Sequence, residues 1–393
     1  MHLCIVPLPD AYMGPPWTFG IYALLPLFRK HKAFTENVTH CNVHILPEHN
    51  PWETGVRDGL TLHNWLQASY PPFNDTQNVF LHFSFCDLVS DCAYLPQPFQ
   101  NLPPSLNPAS PHRRYTYVAW NGRGDGHDSN QNACDGCMQR GKDIVVATGQ
   151  NACGPLCGGN MQDLKRFAVW NGESHETLLA ALKDVKHWPP RRYEMFWAGQ
   201  VAPARMQGSA DPSDDPSGRG QFWRLFQDRT GWSVTQTYDW KHDKPLIHME
   251  HTVLEMMRNA TFCFSPLGRV GGDHDRYIPA ILTGCIPVVL SSVTVGGVRQ
   301  PYVQPFEDVL DWHKFAVVVD ARDIPRLPDV LAAVDVASKR AHMAHVWRKM
   351  LWTKYYGSYL GETGDGDAFD TLVEVLLKRS PRGAFLQRRT SLE

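Results

Sequence analysis

Short apolar runs alternate with amphipathic stretches along the second half of the chain, and this alternation predicts a parallel α/β sheet. Residues 193–198 (YEMFWA), 261–265 (TFCFS), 286–290 (IPVVL) and 315–319 (FAVVV) are rich in aromatic and branched side chains, as buried strands require. Between them, residues 221–228 and 249–258 read as helices, the second with Val253, Met256 and Met257 on one side. Residues 275–283 read as a helix stopped by Gly284, and residues 327–337 as another. The first half is less regular. Strands are predicted at 3–8, 78–85 (NVFLHFSF), 115–120 and 143–147, whereas the apolar run 21–28 is interrupted by Pro26. Residues 97–111, 121–128 (NGRGDGHD) and 207–220 (QGSADPSDDPSGRG) have loop composition. A Pro-rich connector at 188–192 (WPPRR) divides the chain into a domain at 1–190, a second at 191–380 and a tail at 381–393.

Composition agrees with two globular domains: 393 residues, 43% apolar and 20% charged. A formal net charge of -2 supplies no electrostatic drive toward nucleic acid or an anionic membrane. No apolar run approaches the roughly 20 residues of a membrane span. The opening MHLCIVPLP lacks a basic region, a long apolar region and a small-residue cleavage site, so no targeting signal is visible in the chain. Sequons at Asn37, Asn74 and Asn259 favour a lumenal location weakly, and the third, just before an apolar strand, is expected to be too buried for modification.

The stretch that carries chemistry is 261–290, TFCFSPLGRVGGDHDRYIPAILTGCIPVVL. It reads as strand, glycine-rich turn, helix, strand. Gly268, Gly271 and Gly272 allow backbone N–H groups to approach an anion, and the following helix start adds positive partial charge. Arg269 and Arg276 suit phosphate oxygens, while Asp273 and Asp275 suit sugar or ribose hydroxyls. The same composition also describes a loop that merely turns the chain. No G-x-G-x-x-G fingerprint is present, which speaks against an NAD-dependent oxidoreductase.

The stretch resembles the exostosin-like glycosyltransferases, family 47. The resemblance rests on Phe262-Cys263, Pro266, Gly268, Arg276, Gly284 to Val288 (GCIPV), Pro305-Phe306-Glu307 and Leu310-Asp311-Trp312 leading to Phe315. Weaker echoes are Phe196 to Gly199 (FWAG), Gly141 to Val145 (GKDIV) and Asp367 to Asp370 (DAFD). The specific match covers 192–370; the first 130 residues match only loosely. The resemblance implies a GT-B fold, an α/β architecture of two Rossmann-like domains facing across a cleft. It further implies inverting transfer from a nucleotide sugar, a UDP-sugar, to a glycan hydroxyl, without a bound metal or other cofactor. The donor site it implies comprises Gly199, Ser265, Gly268, Arg269, Gly271, Gly272, Asp273, Asp275, Arg276 and Glu307. It also implies the lumen of the Golgi or secretory pathway, and association with like transferases as a homo- or hetero-oligomer. Asp273-His274-Asp275 has the form of a D-x-D metal motif, but its place at a helix start fits the phosphate loop better. Family members often carry an acidic residue just before the PF pair. Here residues 301–305 are PYVQP, preceded by an insertion at 293–299 (VTVGGVR), and Glu307 is left to take the ribose contact. That departure keeps a second reading open, a silent family member that binds glycan or a partner subunit.

Inverting transfer needs a general base near the acceptor hydroxyl. Asp87, directly after the 78–85 strand, is the first choice for it; the loop Asp125 to Asp128 is the runner-up, and His82 fits a core histidine better. Cys134-x2-Cys137 and Cys153-x3-Cys157 have near-zinc spacing but suit disulfides in a lumenal chain. Cys263 and Cys285 are expected in adjacent strands as small core residues. Trp52 and Trp120 are candidates for stacking on sugar rings.

Overall fold

The computed structural model describes residues 2–7, 21–46, 56–75, 78–83, 115–119, 144–147, 191–199, 201, 218–239, 244–245, 249–266, 276–295, 298–358 and 361–379. By spatial proximity the chain divides into two units, Met1–Val146 with Phe369–Glu393, and Ala147–Ala368.

The first unit runs β1 (Leu3–Ile5), α1 (Ile21–Lys30), β2 (Val43–Ile45), α2 (Val56–Ser69), β3 (Val79–Phe83), β4 (Tyr115–Ala119) and β5 (Ile144–Val145). Its five strands are parallel and lie in sequence order. The apolar run with Pro26 is helical because tertiary packing overrides the helix breaker: Leu24, Leu25 and Phe28 are buried while Pro26 faces solvent. Val6, Leu46, Leu66, Tyr70, Phe73 and Phe80 form one core cluster. A disulfide between Cys4 and Cys41 ties β1 to the segment entering β2.

The second unit contains β6 (Tyr193–Gly199), α3 (Arg219–Phe226), β7 (Trp232–Gln236), the small antiparallel pair β8 (Tyr238–Asp239) and β9 (Lys244–Pro245), α4 (Met249–Arg258), β10 (Ala260–Ser265) and α5 (Tyr277–Leu282). It continues through β11 (Ile286–Val295), β12 (Val298–Pro301), α6 (Trp312–Phe315), β13 (Val317–Asp320), α7 (Leu327–Ala332), α8 (Val336–Val346) and α9 (Thr353–Tyr356). The parallel strands lie in the order β7-β6-β10-β11-β13, with β12 antiparallel to the far end of β11. All six residues of α5 are buried. The α/β class is therefore present, with one mainly parallel sheet in each unit.

Several elements differ from their expected form. The insertion at 293–299 is a continuation of β11 that returns as β12, with Val295 paired to Val298. Gly296-Gly297 between β-branched residues is a hairpin signal that explains this extension. The helix expected at 327–337 is two helices, because the Asp335 side chain accepts from Ser338 N and starts α8 afresh. Phe315 ends α6 instead of opening a strand. The closing helix α10 (Ala368–Arg379), which the sequence groups with the second half, joins the first unit from Phe369 onward. There Phe369 meets Phe28 edge to face at 4.9 Å. The expected connector at 188–192 lies outside the described residues up to Pro190.

Candidate active site

A parallel sheet offers its ligand site at the carboxyl ends of its strands, where the strand order reverses. In the second unit that point lies between β6 and β10: from β6 the chain adds β7 on one side, then returns to add β10 on the other. The register shows a crevice opening there. The last paired residues of β6 and β10 are Phe196 and Cys263. Both strands run on, β6 to Gly199 paired with β7, β10 to Ser265 paired with β11. Beyond the last pair, carbonyls of the two strands no longer face a sheet partner across the gap and must be satisfied otherwise.

Arg276 supplies one such partner. It stands immediately before α5 and its guanidinium Nη1 donates to Ala198 O, reaching from the β10–α5 connection to the end of β6. A charged donor with five N–H groups thus sits at the reversal point. Gly199 makes room for it. A Cβ on Gly199 would lie 3.1 Å from Arg276 Nη1 and 2.5 Å from Trp197 Cζ2. Gly199→Ala is therefore expected to displace the indole and the guanidinium together. The cost should be about 1–3 kcal/mol of stability. Chemical denaturation of the variant checks this; an unchanged midpoint would show that the crevice is looser than the contacts require.

Buried polar groups gather at the same edge. Trp197 Nε1, Thr237 Oγ1 and Gln304 Oε1 are buried without hydrogen-bond partners. Trp197 is near the end of β6, Thr237 follows β7 and donates its N–H to Gly199 O, and Gln304 Nε2 donates to Leu290 O of β11. Unsatisfied buried polar atoms are uncommon, and each calls for a partner such as water or a ligand group. Next to Gln304, buried Phe306 has φ 53°, a left-handed conformation that a bulky residue adopts at a cost of order 1–3 kcal/mol. The Glu307 carboxylate stabilises that turn by accepting from Gln304 N at 3.0 Å.

Residues 177–334, which include this edge, match the family model described as the Exostosin GT47 domain. Over that stretch the chain is similar to the exostosin GT47 domain. Exostosin-1 of Drosophila melanogaster is 30% identical over 139 residues, 35% of this chain and 16% of that protein. The Physcomitrium patens protein named "Probable glucuronosyltransferase 47 A" is 27% identical over 185 residues, 44% of this chain and 35% of that one. The alignments thus span well under two thirds of either relative. Among solved structures, TarM aligns over 69% of this chain and 51% of its own at 10% identity and a TM-score of 0.28, too low a likeness to add to the argument.

Within residues 177–334 the structure brings Gly199, Ser265 and Arg276 to the β6–β10 edge and sets Glu307 in the turn beside the end of β11. Ser265 is fully buried, its hydroxyl 3.4 Å from Cys263 O. Gly268, Arg269, Gly271, Gly272, Asp273 and Asp275 lie outside the described residues, as do Asp87, the loop Asp125 to Asp128, Trp52, Trp120 and the cysteines at 134–157. Asp87 follows, by four positions, the end of β3, the central strand of the first sheet. Among the described residues no group of three or more His, Cys, Asp or Glu side chains is placed to hold a metal ion.

One expectation is corrected. Cys263 lies in β10 but Cys285 stands just before β11, and the two form a disulfide with Cα atoms 5.7 Å apart instead of packing as free thiols. The register of β10 and β11, which sets Pro287 opposite Cys263 and leaves Cys285 within disulfide reach, is a tertiary property that spacing along the chain does not encode. Sequence reasoning also passed over Trp197, Thr237 and Gln304. Trp197 reads as one more core aromatic; Gln304, a polar residue between apolar neighbours that proves buried, was the one visible signal.

Proposed function

We propose that the chain transfers a sugar, with inversion, from a UDP-sugar bound at the β6–β10 edge to a glycan hydroxyl, with the acceptor on the first unit. The observation that carries this is the Arg276 guanidinium bonded across the strand-reversal crevice to Ala198 O. There it meets the negative charge that grows on a leaving nucleoside diphosphate, and no metal is needed for that neutralisation. The partnerless Trp197, Thr237 and Gln304 atoms give the same edge further hydrogen-bonding capacity. Asp87, four positions past the end of β3 in the sequence, is the base in this reading. In this reading the reaction takes place in the lumen of the secretory pathway, and the chain associates with like transferases as a homo- or hetero-oligomer. The disulfides Cys4–Cys41 and Cys263–Cys285 and the exposed sequon residues Asn37 and Asn74 support that compartment. No helix among the described residues is long and apolar enough to cross a membrane.

Transfer and donor hydrolysis are to be measured on a panel of UDP-sugars. UDP-glucuronate comes first, because several relatives are named glucuronosyltransferases. Release of UDP with one or more donors is expected. The second reading, a silent glycan-binding member, draws support from Glu307, whose carboxylate is already engaged with Gln304 N. Binding of glycan with no donor turned over would establish it in place of the first.

A further inference from the structure

The amino-terminal edge of the second sheet, opposite the donor edge, gathers three arginines. Arg191 stands two residues before β6, Arg258 ends α4, and Arg340 lies on α8. Arg191 Nη2 donates to Thr283 O at 3.0 Å and Arg340 Nε donates to Gly284 O at 3.2 Å. The two acceptors are consecutive carbonyls just past α5, so the two guanidiniums are drawn to one place. Arg340 is 8% exposed, and its Nη2 is buried with no hydrogen-bond partner. Arg191 and Arg258 are half-buried, which leaves the cluster an opening to solvent on their side.

We propose that this cluster is a binding site for a phosphate- or sulfate-class oxyanion, held by Arg340 and Arg191 with Arg258 at its mouth. The planar fork of a guanidinium matches the oxygens of such an anion, and Nη2 of Arg340 is the donor the protein itself leaves without an acceptor. Like-charge crowding agrees. Burial first, and then the charges of Arg340 and Arg258, pull Arg191 down to about 9. Burial lowers Arg340 as well. An oxyanion between them would relieve both effects. The site is separate from the donor edge and does not depend on the transferase reading.

The test is calorimetric titration of the protein with inorganic sulfate, inorganic phosphate and a monosulfated monosaccharide, against chloride at matched ionic strength. Saturable binding of the oxyanions is expected. Arg340→Met should weaken it at least about tenfold, and Arg340→Lys, which keeps charge without the fork, should weaken it less. Circular dichroism confirms that each variant is folded. Arg276→Ala should bind sulfate as the parent does. Equal affinity for free and sugar-linked sulfate assigns the site to a free anion; preference for the sulfated sugar assigns it to a glycan. Chloride acting as well as sulfate, or undiminished binding by folded Arg340 variants, overturns the proposal. So does loss of the signal in Arg276→Ala, which would place the anion at the donor edge.

Discussion

Arg276→Ala is expected to lower sugar transfer by two to three orders of magnitude while the protein stays folded. The guanidinium occupies the point where β6 and β10 part, bonded to Ala198 O. As the glycosidic bond to the diphosphate breaks, negative charge builds on the leaving group, and a fixed cation nearby gains more from that transition state than from the bound donor. Loss of one such electrostatic donor typically costs roughly 3–4 kcal/mol of the barrier. The same substitution removes the bond to Ala198 O, worth about 1.5–3 kcal/mol when one partner is charged, so some stability is lost as well. Arg276→Lys separates the two contributions. It retains the charge but not the planar fork, and should recover transfer only in part. Rates of UDP release, read beside thermal melts, decide the matter. Transfer at the parent rate by both folded variants would remove Arg276 from the donor site.

The second large effect concerns the Cys263–Cys285 disulfide. It closes a segment of 22 residues that contains the end of β10, the donor loop sequence and all of α5. In the chain-entropy description a loop of that size contributes about 3 kcal/mol by restricting the unfolded chain. Reduction, or the double substitution Cys263→Ala with Cys285→Ala, should therefore lower the melting temperature by roughly 6–12 °C in a unit of this size. The double variant should no longer respond to reductant at this site, and a cycle with the Cys4–Cys41 pair separates the two bonds. A parent protein whose melt ignores reductant, with mass spectrometry showing both thiols alkylated, would rule the bond out. The bond also bears on location, since such a cross-link persists in an oxidising compartment and is rare in a reducing one.

The order of residues alone determined much of the second unit. Continuous apolar strands at 193–198, 261–265 and 286–290, with an amphipathic helix at 249–258, were legible because each satisfies its local period and length. The glycine-rich stretch before Arg276, and its order among the GCIPV and PFE groups, pointed to the family for the same reason: the pattern is written contiguously. What only the tertiary structure decided is which of these pieces meet. That β6 lies between β7 and β10, that Arg276 reaches Ala198 across the gap, and that Cys263 bonds Cys285 all depend on strand order and register. So does the burial of Gln304 and Trp197 without partners at one edge. Pairing between distant strands is selected by the total burial of the sheet's faces, a sum over residues far apart in the chain, and no local window contains it.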